Sequence, residues 1–211
     1  MARIAVIGTG YVGLVSSACF ADLGNDVVGI DIDATKVRLL EQGCIPIYEP
    51  QLEELVQRNR TAGRLRFTTD YLCGLADAEF VFIAVATPSG SEGEADMRQV
   101  EAATIAIAQH LVGDAVVVNK STMPIGAADW VTQLLRKHQT PDIHCAVVSN
   151  PEFLREGSAV ADFMQPDRVV LGSNDRAAAE RVAALYQPLK CPIMLTDTRT
   201  AEMIKYASNA S

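Results

Sequence analysis

Three glycines spaced Gly8-x-Gly10-x-x-Gly13 stand directly after an apolar run, Arg3–Ile7, and open a segment whose apolar residues recur at helical spacing. Each suits a different demand of anion binding. At the first position glycine permits a tight turn, at the second it lets the backbone approach a pyrophosphate with no Cβ between, and at the third it lets a helix pack close to a strand. The start of that helix offers unpaired N–H groups and a partial positive charge to the phosphates. Asp31 closes the next apolar run, near the spacing at which a carboxylate accepts hydrogen bonds from an adenosine ribose. Its charge repels a 2′-phosphate, so the pattern favours NAD over NADP. The competing reading makes Asp31 a cap for the helix that starts near Asp33. Lys36 stays open between a further contact to the ribose and a solvated helix face.

These residues need a scaffold, and the hydrophobic spacing supplies one. Strands are predicted at Arg3–Ile7, Asp26–Asp31, Leu65–Thr68, Phe80–Ala84, Ala115–Asn119, His144–Ser149, Arg168–Leu171 and Pro192–Leu195. Helical spacing marks Tyr11–Leu23, Ala34–Glu41, Gln51–Arg58, Met97–His110, Ala127–Lys137 and Arg176–Tyr186. Strands that alternate with helices imply right-handed crossovers. Near-continuous apolar strands such as FVFIAVA and AVVV imply that both faces are covered. The expected fold class is therefore α/β, a Rossmann-like doubly wound, mainly parallel sheet with helices on both faces. The polar run Ser89–Asp96 reads as a surface loop.

The last stretch reads as the start of a helix, with Thr198 as N-cap, Glu202 in the first turn, and Met203, Ile204 and Ala207 on one face. No C-cap signal follows before Ser211. The expectation is a dinucleotide-binding domain over 1–196, and over 197–211 the start of a connecting helix leading to absent downstream domains of a longer chain.

Composition excludes several classes of function. No run of about 18 apolar residues is present to span a bilayer, and the N-terminal apolar stretch is broken by the glycines, so no targeting segment is read. The net charge is −8, without a Lys/Arg-rich stripe, which argues against a nucleic-acid partner. Cys19, Cys44, Cys73, Cys145 and Cys191 stand singly, with no C-x-x-C pair, as expected of reduced thiols in a cytoplasm and not of a metal site.

Longer motifs carry a resemblance. Gly8–Leu14 (GTGYVGL), Pro46-Ile47-x-Glu49-Pro50, Thr87-Pro88, Asn119–Gly126 (NKSTMPIG), Asn150–Gly157 (NPEFLREG), Pro166-Asp167-Arg168 and Lys205-x-x-x-Asn209 together resemble the UDP-glucose/GDP-mannose dehydrogenase family over essentially the whole chain. These are NAD-dependent oxidoreductases that convert a sugar CH–OH to a carboxylate, and NKSTMPIG and NPEFLREGSAVADF are forms that the UDP-glucose branch favours. The resemblance implies NAD as cofactor, bound by Gly8, Gly10, Tyr11, Val12, Gly13, Asp31, Lys36, Thr87, Thr122 and Glu156. It implies catalytic roles for Thr122, Glu152, Lys205 and Asn209, with Thr122 also near a catalytic water. UDP-glucose is the implied substrate of the full-length enzyme, which is implied to be a homo-oligomer.

Blander readings stand beside these roles. Thr122 could cap a helix. Glu152 and Glu156, four apart, would share the face of a helical turn as an unfavourable like-charge pair, with Phe153 and Leu154 as an apolar wall beside them. Lys205 could be a solvated helix lysine.

The resemblance also implies a cysteine nucleophile in a G-x-G-G-x-C-type stretch, beyond the end of this chain, that captures the aldehyde formed by the first hydride transfer. A second hydride transfer then leaves a thioester for water to hydrolyse. None of the five cysteines stands in such a stretch, so the chain alone is expected to bind NAD, to bind UDP-glucose weakly or not at all, and not to complete the oxidation. Alternatives are a stand-alone NAD-binding module, the same domain of a GDP-mannose or UDP-N-acetylmannosamine dehydrogenase, and a hydroxy-acid dehydrogenase of the 6-phosphogluconate type. The last has no place for NPEFLREG.

Overall fold

Short runs of β-branched residues pair into one sheet, and the longer segments between them cover it. The computed structural model describes residues 1–89 and 94–209, Asn209 by its backbone alone. In chain order the elements are β1 (Arg3–Ile7), α1 (Tyr11–Asp22), β2 (Asp26–Ile30), α2 (Ala34–Glu41), α3 (Leu52–Thr61), β3 (Leu65–Thr68), α4 (Tyr71–Leu75) and β4 (Phe80–Ile83). There follow α5 (Arg98–His110), β5 (Ala115–Asn119), α6 (Ala127–His138), β6 (Cys145–Ser149), α7 (Ala159–Met164), β7 (Val169–Gly172), α8 (Arg176–Tyr186), β8 (Ile193–Thr196) and α9 (Thr198–Asn209).

The strand order is β3-β2-β1-β4-β5-β6-β7-β8. β1 to β6 run parallel; β7 turns antiparallel to β6 through Ser149 and Gly172, and β8 runs parallel to β7. Successive side chains of a strand point to opposite faces, so Ile4 and Val6 join a core with Leu14, Phe20 and Phe163, while Ala5 and Ile7 join a second with Val100, Ile107 and Leu135. Burial on both faces is why the central strands β4 and β5 read as unbroken apolar runs, whereas the edge strand β3 carries the exposed Arg66. The chain leaves β1 toward one face and β4 toward the other, so a crevice opens between their carboxyl ends, the switch point where such sheets bind ligands.

Five expectations need correction or completion. α4 and α7, five and six residues long, are too short for hydrophobic periodicity to register. Pro151–Arg155 is irregular and Glu156–Gly157 forms a turn, so Glu152 and Glu156 do not share a helix face. Gly157 has φ +86°, and the Leu154 N–H donates to the Glu152 carboxylate at 2.7 Å, a local bond that competes with helix formation. The cap of α9 is Asp197, which accepts from the Thr200 N–H at 2.9 Å; Thr198 is the first helical residue. The face of α9 is also inverted: Met203 is 56 % exposed, whereas Glu202 and Lys205 are buried. Of the loop Ser89–Asp96, residues 90–93 lie outside the described residues, and Ser89 and Ala95 on either side form an antiparallel bridge.

α9 lies against β7 at Gly172, where a Cβ would come within 2.5 Å of the Ala201 Cβ and of the Asp197 carbonyl oxygen. That close approach brings the buried face of α9 to the carboxyl ends of β5 and β6.

Candidate functional site

The glycine turn sits at the switch point, and its three glycines differ in what surrounds them. Gly8 has φ +93°, and a Cβ there would lie 2.8 Å from the Ala84 carbonyl oxygen. A Cβ on Gly13 would lie 1.8 Å from the Gly8 carbonyl oxygen, so this glycine lets α1 close on its own turn more than on the strand. At Gly10 a Cβ would meet nothing within 4 Å. Gly10 is thus dispensable to the packing and borders a groove of about 630 Å³ lined also by Gly8, Asp31, Lys36, Tyr71 and Ala103. The first N–H groups of α1, those of Tyr11 and Val12 included, lack partners within the helix, and α1 has no side-chain cap. Open space before an uncapped helix start, with a carboxylate across the groove, fits a dinucleotide's pyrophosphate and ribose.

Asp31 is buried at the end of β2. One carboxylate oxygen, Oδ2, accepts from the Thr9 N–H at 2.8 Å, the Thr9 hydroxyl at 2.7 Å and Lys36 Nζ at 3.1 Å. The other, Oδ1, accepts from the Asp33 N–H at 3.0 Å. Burial pushes the Asp31 carboxyl up, but the N–H groups of Asp33 and Thr9, the Thr9 hydroxyl and Lys36 together hold it below the usual carboxylate range. It is an anion at neutral pH. The cap of α2 is Asp33, through the N–H groups of Thr35 and Lys36. The Lys36 ammonium is held on Asp31 and is not free in solvent.

Further along the same sheet edge, the Thr87 hydroxyl donates to the Thr122 carbonyl at 2.7 Å, which joins the segments after β4 and β5. Thr122 is not the cap of α6, a position held by Gly126. Beyond β6, Lys205 Nζ of α9 lies 3.0 Å from Glu152 Oε1 and 2.5 Å from the Glu152 carbonyl oxygen, and 5.5 Å from the centre of the Phe153 ring. Both side chains of the pair are close to nine-tenths buried, so each charge needs the other. Glu156 is exposed on its turn. The side chain of Asn209 lies outside the described residues.

Tyr11 reaches a second convergence. Its hydroxyl donates to the buried Glu49 carboxylate, and the Gly157 N–H donates to the same carboxylate at 2.9 Å. Burial first, then the bond to Glu49, pushes the Tyr11 phenol up to about 12. The glycine turn, the Pro46–Pro50 segment and NPEFLREG are thereby tied at one point. Val12 packs partly buried against the core.

Sequence reasoning passed over Lys120, although it follows an apolar strand run directly at the ligand-binding edge, the one signal that marks it. It is buried, with Nζ 3.3 Å from Asn150 Oδ1 and 5.8 and 6.0 Å from the ring centres of Phe163 and Tyr186. Together with Asn150, Glu152 and Arg168 it lines a cavity of about 390 Å³. Burial lowers the Lys120 amine from 10.5 to about 8, against the pull of the Glu152 carboxylate.

Between those two values the unfolded chain binds more protons than the folded one, so this residue makes the fold more stable as pH rises from about 8 to 10.5. Below about 8 the cost of its buried charge is fully present. Lys120→Met is expected to raise stability at pH 7 by about 3 kcal/mol, a gain that shrinks toward zero above pH 10. Denaturant titrations of both proteins across this range test it, and a loss at pH 7 or a gain indifferent to pH would count against it.

Fold and site together define a dinucleotide-binding dehydrogenase domain with a buried lysine–carboxylate pair at its ligand edge. Residues 2–190 match the profile of the UDP-glucose/GDP-mannose dehydrogenase family, NAD binding domain, and the chain belongs to that family, whose cofactor is NAD. It is 49 % identical over 208 residues to UDP-glucose 6-dehydrogenase YwqF of Bacillus subtilis, and 49 % identical over 214 residues to the UDP-glucose 6-dehydrogenase of Rhizobium meliloti. It covers 99 % of itself in both alignments but 47 % and 49 % of those relatives, about half their length. Among solved structures, a UDP-glucose dehydrogenase from Pyrobaculum islandicum superposes with a TM-score of 0.95 at 41 % identity, over 99 % of this chain and 49 % of that one. A GDP-mannose dehydrogenase of Pseudomonas aeruginosa follows with 0.93 at 36 %, over the same shares. Among the described residues no helix is long and apolar enough to cross a membrane, and no cluster of three or more His, Cys, Asp or Glu could hold a metal.

Proposed function

We propose that residues 1–196 form the NAD-binding domain of a UDP-glucose 6-dehydrogenase, with 197–211 the start of its connecting helix. In the whole enzyme UDP-glucose is oxidised to UDP-glucuronate in two successive NAD-dependent steps. The buried Lys205–Glu152 pair carries this reading, because a module that only bound NAD would need the glycine turn and Asp31 but gain nothing from a charge pair in NPEFLREG.

NAD, when bound, accepts hydride. The chain's own residues bind and orient: the glycine turn and α1 hold the pyrophosphate, Asp31 the adenosine ribose, and Thr87, Thr122 and Glu156 the nicotinamide end. Glu152 works in proton transfer and hydrolysis, while Lys205 supplies positive charge to an oxygen that becomes anionic, and the role assigned to Asn209 is to help hold that oxygen and the attacking water. None of the chain's thiols serves as nucleophile. Burial pushes the Cys19 thiol up to about 12 and the Cys145 thiol up to about 11, which leaves both protonated. Neither Cys44, Cys73 nor Cys191 lines the cavities at Glu152 and Lys205.

Calorimetric titration with NAD and UDP-glucose, together with NADH absorbance, tests the proposal. The expected result is NAD binding, weak or no UDP-glucose binding, and no steady NADH production by this chain alone. Sustained NADH production from UDP-glucose would overturn the assignment of the nucleophile outside this chain, and absence of NAD binding would overturn the site.

A further inference from the structure

The start of α6 is capped from an element far away in sequence. Its N-cap, Gly126, is left-handed at φ +93° and offers no side chain. The Glu202 carboxylate of α9 takes that place: Oε2 accepts from the Gly126 N–H at 2.6 Å, and Oε1 from the Ala128 N–H at 2.9 Å. Glu202 is 6 % exposed, so these bonds are made out of water and an anion faces the positive end of the helix. Arg199, one turn earlier in α9, lies 3.5 Å from Asp129 in the first turn of α6 and reinforces the same contact.

The segment between β5 and α6, which carries Thr122, is thus pinned at both ends. At the front, the Ser121 hydroxyl and N–H donate to the Val85 and Ile83 carbonyls; at the rear, Glu202 holds it. Three residues beyond Glu202, on the same helix face, Lys205 holds Glu152. Thr122, Glu202 and Lys205 border one small depression of about 20 Å³.

We propose that Glu202 is a positioning residue that sets Thr122 in register with the Lys205–Glu152 pair, so that one face of α9 aligns both halves of the reacting site. This rests on the placement of Thr122 at the nicotinamide end. Glu202 itself touches neither cofactor nor substrate in this scheme.

The test uses the whole 211-residue chain and two variants, Glu202→Gln, which removes the charge, and Glu202→Asp, which keeps it one methylene short. Amide hydrogen exchange at Gly126 and Ala128 reports the cap, and affinities for NAD and ADP-ribose report which end of the ligand feels its loss. In Glu202→Gln, exchange at both amides is expected to accelerate at least tenfold, and NAD to bind about tenfold more weakly, while ADP-ribose, which lacks nicotinamide, binds as before. Glu202→Asp is expected to fall between, and carries the same comparison if the glutamine variant does not fold. Equal weakening of both ligands, or unchanged protection of Gly126 and Ala128, would overturn the proposal. Failure of the unaltered chain to bind NAD would instead overturn the functional reading and the nicotinamide half of this one, with amide protection still deciding the cap.

Discussion

Gly10→Val is expected to leave the chain folded and to weaken NAD binding at least a hundredfold, a loss of about 2.7 kcal/mol or more. The two halves of that expectation have separate causes. Gly10 has φ −70° and ψ −166°, extended backbone open to any residue, and a Cβ there meets nothing within 4 Å, so the fold has no objection. The added side chain projects into the space before the first N–H groups of α1, where the pyrophosphate belongs. Gly13→Ala is the contrast, because its Cβ would sit 1.8 Å from a backbone oxygen; that variant should lose stability together with binding. Thermal melting separates the two effects and calorimetry measures the affinity. Unimpaired NAD binding by a folded Gly10→Val chain would remove the pyrophosphate from this turn.

Discrimination between NAD and NADP is the second large effect. The unaltered chain is expected to bind NADP at least a hundredfold more weakly than NAD, and Asp31→Asn to narrow the gap below tenfold. Two like charges about 4 Å apart near a protein surface repel by about 4 kcal/mol, more than a hundredfold requires. Lys36, the cation that could have offset this, is already held on Asp31. Because the Asp31 carboxyl is held below the usual range, its charge and the discrimination should persist to pH 5. The stability that Asp31 contributes through Thr9 is present above its unfolded value near 4 and is lost as pH falls through the lower folded value. Equal affinity of the unaltered chain for both dinucleotides would take the ribose away from Asp31.

Both effects concern residues legible in the chain itself. Gly8, Gly10, Gly13 and Asp31 announce themselves because the constraints on them are local: a turn, a helix start and a strand end within about thirty residues. Strands such as Arg3–Ile7 and Ala115–Asn119 have the very bounds that their apolar runs suggest, since burial on both faces keeps polar residues to their ends.

α9 shows where that legibility stops. Its pattern of Met203, Ile204 and Ala207 suggests an apolar inner face, yet Met203 is exposed and Glu202 and Lys205 are buried. Hydrophobic spacing assumes that charge seeks water, and it fails where a charge finds a partner inside. Glu202 finds its partner 76 positions away in Gly126, and Lys205 finds Glu152 at a separation of 53. Lys120, likewise, is buried among rings of α7 and α8 that no neighbouring residue foretells. By itself the sequence determined the sheet, the glycine turn and the acid that faces it, because periodicity and backbone sterics act over a few residues. Which charges lie inside, and which loops they hold in register, was decided only by the tertiary structure, because a buried charge is stable only once distant segments bring its partner to it.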